Sequence, residues 1–256
     1  MTGWVLKGLA TGTKTTRYPE GAEQAPGVSP GRPGGGDYPE HEIALLLARC
    51  PVGAIRQTGR SAVTVDHRRC IHCFRCARGL ATPLSWEPGY EWAGGSTKGS
   101  QGPLDKAFER SVNVLVVDTG DCGACLSEVK QLNSPYYNMH RLGFFITPTP
   151  RQADVMLVVG PLTDHMRLPL TKTYEAMPTP KRVVAVGTCA LSGGAFAPSF
   201  ACGTGPADIL PVDVAVPGNP PPPLAILHGL LVAVGRESPA SLDSPAEDAA
   251  QEAPVR

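Results

Sequence analysis

The chain has 256 residues, room for one large domain or two small ones, with a formal net charge of zero and 42% hydrophobic residues. That balance excludes the basic signature of a nucleic-acid binder. No apolar run approaches the roughly eighteen residues needed to cross a bilayer, and the N-terminus lacks an export signal, so a cytosolic protein is expected.

In chain order, residues 1–39 read as an extended arm, because the stretch EGAEQAPGVSPGRPGGGDYP (20–39) is too rich in glycine and proline for a regular element. A compact cysteine-bearing domain follows over 40–86, then a Gly-rich linker over 87–104. From 105 to 236 the texture is α/β. VNVLVVD (112–118), ADVMLVVG (153–160), KRVVAVG (181–187) and PVDVAVPG (211–218) read as buried strands. ACLSEVKQL (124–132), PLTKTYEAM (169–177) and LAILHGLLVAVG (224–235) read as helices between and after them. Continuous apolar strands alternating with helices predict a parallel sheet covered on both faces. The acidic, proline-punctuated residues 237–256 read as a disordered tail.

Eight cysteines carry the chemistry. Without an export signal they are expected as thiols, and their clustering at two- or three-residue intervals makes them soft ligands for iron or zinc rather than disulfides. Cys70, Cys73 and Cys76 form C-x2-C-x2-C, and Cys50 is followed by Pro51. A run of this pitch presents three thiolates to three corners of a cubane, and a distant Cys-Pro supplies the fourth, so a [4Fe–4S] cluster is predicted on Cys50, Cys70, Cys73 and Cys76. Zinc sites usually pair two C-x2-C hooks, which this pattern is not. His72, inside the run, reads as a neighbour of the cluster rather than a ligand.

This region resembles a bacterial two-cluster ferredoxin, whose unit is C-x2-C-x2-C-x3-C-P with the fourth cysteine serving the opposite cluster. Counting back from Cys50, cysteines are due at positions 46, 43 and 40, where Leu46, Ile43 and Glu40 stand. Counting on from Cys76, one is due at position 80, where Leu80 stands. The missing positions are the full set for one cluster and the retained ones the full set for the other. An α+β ferredoxin-like domain with one cluster is therefore expected, ahead of an α/β parallel-sheet, flavodoxin-like domain.

Cys122 and Cys125 follow the first α/β strand in DTGDCGACLSE, and Cys189 follows the third in VGTCALSGG. Loops at the carboxyl ends of parallel strands share one crevice, and the neighbouring glycines let backbone approach a cluster closely. From about Phe108 to Gly235 the chain resembles the small subunit of energy-converting, membrane-bound [NiFe] hydrogenases and the homologous small cluster-bearing subunit of respiratory complex I. The resemblance rests on GDCGACLSE, HRLGFF, PRQADVMLVVGPLT, TYEAMPTPKRVVAVGTCALSGG and PVDVAVPG, in a fixed order. The C-x2-C spacing of Cys122 and Cys125 is that of the hydrogenase members. The arm GTKTTRYPEGAEQAPGVSPGRP resembles the segment preceding the ferredoxin-type subunit of the same complexes, so the chain reads as a fusion of the two. Trp4, Val5, Leu6 and Leu9 form either a membrane-surface face or ordinary core.

The resemblance implies a second cluster on Cys122, Cys125 and Cys189, with Glu128 near it; Glu128 reads equally as an acid complementing a helix N-terminus. Arg151 and Asp154, in PRQAD, match family positions or else only position the strand. The family's fourth ligand is a cysteine in Pro-Gly-Cys-Pro-Pro, but here Asn219 stands in its place, and an amide oxygen is a poor substitute for thiolate on iron. Cys202 is left over: it takes the vacant corner, is an ordinary thiol, or marks a lost cluster. The implied role is an electron-transfer subunit, not catalytic alone, beside a hydrogenase-type or complex I-like large subunit in a complex on the inner membrane face. Alternatives are a quinone- or ferredoxin-linked oxidoreductase without hydrogen chemistry, or a scaffold with a degenerate second site. No nucleotide-binding fingerprint is present.

Overall fold

Alternation of apolar side chains along short β-branched runs decides the architecture. The computed structural model describes residues 3–23, 25–95, 108, 110–196 and 199–242. The first part of the chain carries α1 (Gly3–Thr11), β1 (Arg32–Pro33), β2 (Gly36–Asp37), α2 (Glu40–Arg49), β3 (Ile55–Thr58), β4 (Ala62–Val65), β5 (Trp86–Glu87) and β6 (Gly94–Gly95). The second carries β7 (Val112–Asp118), α3 (Ala124–Gln131), β8 (Phe144–Ile146), β9 (Val155–Val159), α4 (Asp164–Ala176), β10 (Arg182–Val186), α5 (Thr188–Ser192), β11 (Val214–Val216) and α6 (Pro223–Ala233).

A six-stranded sheet runs β6-β11-β10-β9-β7-β8 and is parallel except for β6, which pairs antiparallel with β11. Both faces are covered, so the central strands β9 and β10 are buried at every position. Val155, Leu157 and Val159 pack with Val184 and Val186 against α3 and α6. Met156 and Val158 turn to the other face with Val183, Ala185 and Leu170 of α4. Asp154 sets the register of the central pair, its Oδ2 accepting the Asn113 backbone N–H at 2.7 Å. The expected helix from residue 169 begins earlier, at Asp164. Proline favours a first helical turn, which is why Pro169 reads as a start, yet here it sits inside the helix.

The helix α6 is apolar all round and buried, as such a pattern requires. At Gly229 an added Cβ would overlap Val216 of the sheet. Gly229→Val is therefore expected to destabilise the chain by about 1–3 kcal/mol through overpacking, measured as a lower urea midpoint. His228 on the same helix is nearly fully buried. Its Nδ1 accepts the Ala93 N–H at 3.1 Å and its Nε2 lies 3.2 Å from the Ser238 carbonyl, the pattern of a neutral imidazole. Burial lowers its pKa from the ordinary 6.5. The unfolded chain takes up this proton below about pH 6.5, so the stabilisation is full above that pH and lost as pH falls toward the folded pKa. The stability difference between wild type and His228→Leu should thus shrink from about pH 7 to about pH 5 in urea titrations; a constant difference would exclude a neutral His228.

Those bonds belong to a packed strap. Residues 87–95, the described part of the segment expected as a linker, bury Tyr90, Trp92 and Ala93 and supply edge strand β6. Residues 96–104 of that segment lie outside the described residues, as do 243–256 of the expected tail. The tail's described residues run back over the strap: Ala240 N–H donates to the Ala93 carbonyl at 2.8 Å, and Leu242 is buried.

Ahead of the strap, α2 packs on a three-stranded antiparallel sheet, β2-β4-β3. Its core is Ile43, Leu46, Ile55, Val63, Val65 and Leu84, against which Cys50, Cys70, Cys76 and Leu80 pack. Ile43 and Leu46, where a ferredoxin repeat would place cysteines, are each 1% exposed. Apolar core has replaced thiolate there. The arm expected to be extended over 1–39 opens instead on a helix, α1, in which no residue is buried; Trp4 is 77% and Leu9 76% exposed. Exposure removes the reading of that face as core. No helix among the described residues is long and apolar enough to cross a membrane.

Candidate metal centre

The loop after β4 is turned inward by its own backbone. His72 (φ 49°) and Phe74 (φ 60°) both adopt the left-handed region, which costs side-chain-bearing residues on the order of 1–2 kcal/mol each. Such strain persists where the surroundings enforce it. Here the alternating turns carry Cys70, Cys73 and Cys76 to one cavity, which Cys50 also lines. The other walls are largely apolar, formed by Val52, Ala54, Ile55, Val65, Ile71 and Trp86 among others. Phe74 stacks on Trp86 at 4.1 Å between centroids, closing one side.

Backbone N–H groups are aimed at the sulfurs. Ala54 N–H donates to Cys50 Sγ at 3.2 Å, and the His72 N–H acts on Cys70. Burial pushes the Cys70 thiol up to about 12, with the neighbouring cysteines adding to the rise, and it raises Cys76 too. A buried thiol is held neutral unless a cation compensates its thiolate. His72 is pushed by burial down to about 4 and sets its ring edge-on to Trp86 and Trp92. A four-thiol cavity with inward N–H donors fits a cubane. Among the described residues no three His, Cys, Asp or Glu side chains gather tightly enough for a single metal ion.

The second set stands at the carboxyl ends of β7 and β10. Cys122 is exposed, whereas Cys125 and Cys189 are buried. Burial raises the Cys125 thiol, with Asp121, Cys189, Cys122 and Glu128 adding to the rise in that order. Cys189 is raised by burial and by Cys122 and Asp121, against an N–H from Ala195 that lowers it. Asp121 is itself fixed, its Oδ2 accepting N–H groups of Gly123 and Leu126. Glycines let backbone approach these sulfurs closely. A Cβ at Gly187 (φ +89°) would stand 2.5 Å from Cys125 Sγ, and one at Gly194 (φ +55°) 2.7 Å from Cys189 Sγ. Only glycine permits so close an approach at positive φ, and three thiols gathered at one sheet edge suit iron or another soft metal.

Cys202 lies in the loop after α5. Its backbone forms an isolated bridge with Thr163, whose Oγ1 donates to the Thr119 carbonyl at 3.0 Å, three residues before Cys122. Asn219 turns to the first set, Nδ2 donating to the Ile71 carbonyl at 3.2 Å. Glu128 lines a cleft with His72, Phe74, Tyr137, Asn219 and Pro220, and burial raises its pKa. It is partly buried in this cleft and lies beyond the first turn of α3.

The two sets abut. Thr188 Oγ1, one residue before Cys189, donates to the carbonyl of Cys70 at 2.8 Å. Ser192 Oγ, one turn later, donates to the Arg68 carbonyl at 2.9 Å. With Asn219, three side chains of the parallel-sheet loops hold the backbone of the C-x2-C-x2-C loop. Sequence reasoning missed Thr188 and Ser192, because partners 118 and 124 residues away leave no local signal.

Residues 122–233 match the family described as NADH ubiquinone oxidoreductase, 20 Kd subunit. Cys50, Cys70, Cys73 and Cys76 lie outside that match. Formate hydrogenlyase subunit 7 of Escherichia coli (strain K12) is 35% identical over 161 residues, 63% of this chain and 60% of that subunit. The chain therefore spans less than two thirds of that relative. An uncharacterised protein of Methanocaldococcus jannaschii is 43% identical over 123 residues, 48% of this chain and 82% of the relative. A chain in the solved structure of the membrane-bound sulfane sulfur reductase, an archaeal respiratory membrane complex, is 29% identical with a TM-score of 0.46, covering 50% of this chain and 71% of that one.

Proposed function

The chain belongs to the NADH ubiquinone oxidoreductase 20 Kd subunit family, and from that premise we propose that it is an iron–sulfur electron-relay subunit of a multi-subunit, membrane-associated complex. The observation that carries this reading is the junction of the two cysteine sets, where Thr188 bonds the carbonyl of Cys70 and immediately precedes Cys189. In this reading Cys50, Cys70, Cys73 and Cys76 hold one [4Fe–4S] cluster in a ferredoxin-like domain, and Cys122, Cys125 and Cys189 hold a second. Clusters so held supply one-electron storage and transfer. The chain's own residues exclude water with Trp86, Phe74 and Val65, direct N–H groups at the sulfurs, and fix the spacing of the two sets through Thr188, Ser192 and Asn219.

Catalysis belongs, in this reading, to a large subunit. Similarity to a formate hydrogenlyase subunit and the C-x2-C spacing support a hydrogenase-type partner. The family description favours a second reading, a quinone-linked complex of the complex I type. Purification of the native complex decides between them, since nickel requires cysteine pairs in the large subunit. A chain that purifies alone and without iron would overturn both.

In this reading Cys202, whose backbone bridges Thr163, is not a ligand of the second cluster. Cys202→Ser is expected to leave iron content and spectra unchanged. Loss of iron from the second site in that variant would return Cys202 to the ligand set.

A further inference from the structure

Charge is segregated along this neutral chain. Residues 40–86 hold seven arginines, no lysine and three acids, Glu40, Glu42 and Asp66, a net charge of +4; the remainder therefore carries −4. The fold gathers several of these arginines around the first cysteine cavity. Arg75 lines it. Arg69 Nε donates at 3.1 Å to the carbonyl of Val52, a wall residue. Arg49 donates at 3.1 Å to the carbonyl of Gly79, three residues past Cys76, and the Arg78 guanidinium lies 5.4 Å over the ring of Phe74. Asp66 is largely buried and engaged by Arg56 at 3.2 Å and Arg68 at 3.6 Å, so it projects little negative charge outward. Cys73, which lines the same cavity as Arg75, is the exposed member of the four cysteines.

We infer that the arginine ring around Cys73 is the docking surface for an acidic one-electron carrier protein. The inference rests on the proposed relay, adding where the external carrier meets it and what charge that carrier bears. A ring of one sign around a redox site raises the encounter rate of an oppositely charged partner and orients it, while salt screens the effect. The exchange is a single electron: the reduced carrier is oxidised by one, the four-cysteine site is reduced by one, and no bond forms or breaks.

The test uses the anaerobically reconstituted full chain and a small acidic ferredoxin as probe. Association rates are measured by stopped flow at low and high salt, with iron content determined on the same samples. Arg69→Glu/Arg78→Glu is expected to slow association by about tenfold or more at low salt, with Arg69→Gln/Arg78→Gln between it and wild type. Thermal unfolding is expected to fall with the lost Arg69–Val52 and Arg78–Phe74 contacts, so rates are compared only at equal iron content. The salt dependence, which a merely structural role would not move, decides. High salt should bring the three proteins together. Rates that ignore both salt and charge reversal would overturn the docking surface. So would tighter arginine-dependent binding to a DNA duplex or to anionic phospholipid vesicles than to the ferredoxin. The two readings fail separately: a chain without iron defeats the relay, whereas a loaded chain indifferent to the probe defeats only the docking surface.

Discussion

Cys73→Ala is expected to remove about four iron and four sulfide per chain and leave the second cysteine set loaded. Cys73 is exposed, so its truncation opens no core cavity and little of the loss can be charged to misfolding. Cys70, Cys76 and Cys50 are instead packed against the Ile43–Leu46–Val65 core, and replacing any of them mixes ligand loss with packing loss. Leu80→Ala is the matched control. Leu80 stands where a ferredoxin repeat would end in cysteine, yet it only packs against that core, so its truncation should cost stability and no iron. Iron and sulfide analysis beside circular dichroism checks both. Equal iron in Cys73→Ala and wild type would remove Cys73 from the ligand set.

Gly187→Ala should have the second large effect. The backbone there has φ +89°, and an added Cβ would press Cys125 Sγ at 2.5 Å. Backbone strain of this kind costs on the order of 1–3 kcal/mol. The displaced sulfur should also cost the second site its iron, because Gly187 also carries the turn into Thr188 and Cys189. The N–H groups of Gly187 and Thr188 bond the carbonyls of Val216 and Gly218, tying the turn to the Asn219 loop. The expected result is a lower melting temperature together with loss of the second cluster's spectrum. Wild-type spectra in Gly187→Ala would mean that Cys125 is no ligand.

Much of this organisation was legible in the sequence, and the reasons are physical. VNVLVVD, ADVMLVVG and KRVVAVG show as strands because a sheet covered on both faces needs apolar side chains at every position, and β7 spans Val112–Asp118, as the pattern predicts. Edge strand β6 left no such trace. It consists of two glycines, paired through backbone alone with Val214 and Ala215. Three-residue β8 was too short to show a period. Convergence of Cys122, Cys125 and Cys189 followed from parallel topology, since β7, β9, β10 and β11 all point one way. What joins the two cysteine sets was not legible. Asn219 looked like the loss of a ligand, and in the structure its amide reaches 148 residues back to the Ile71 carbonyl. A hydrogen bond at that separation is set by the tertiary fold, and no window of sequence holds both partners. The arginine ring was written in the sequence but hidden by a net charge of zero.

The most direct test of the relay is electron paramagnetic resonance of the reconstituted chain at full reduction, read beside its iron content. Two sites joined through Thr188 and Cys70 should give more than about four iron per chain and a spectrum split by magnetic interaction between two neighbouring centres. That splitting should collapse to the signal of one isolated centre in Cys73→Ala. A wild-type chain with no more than about four iron and an unsplit signal would contradict the relay.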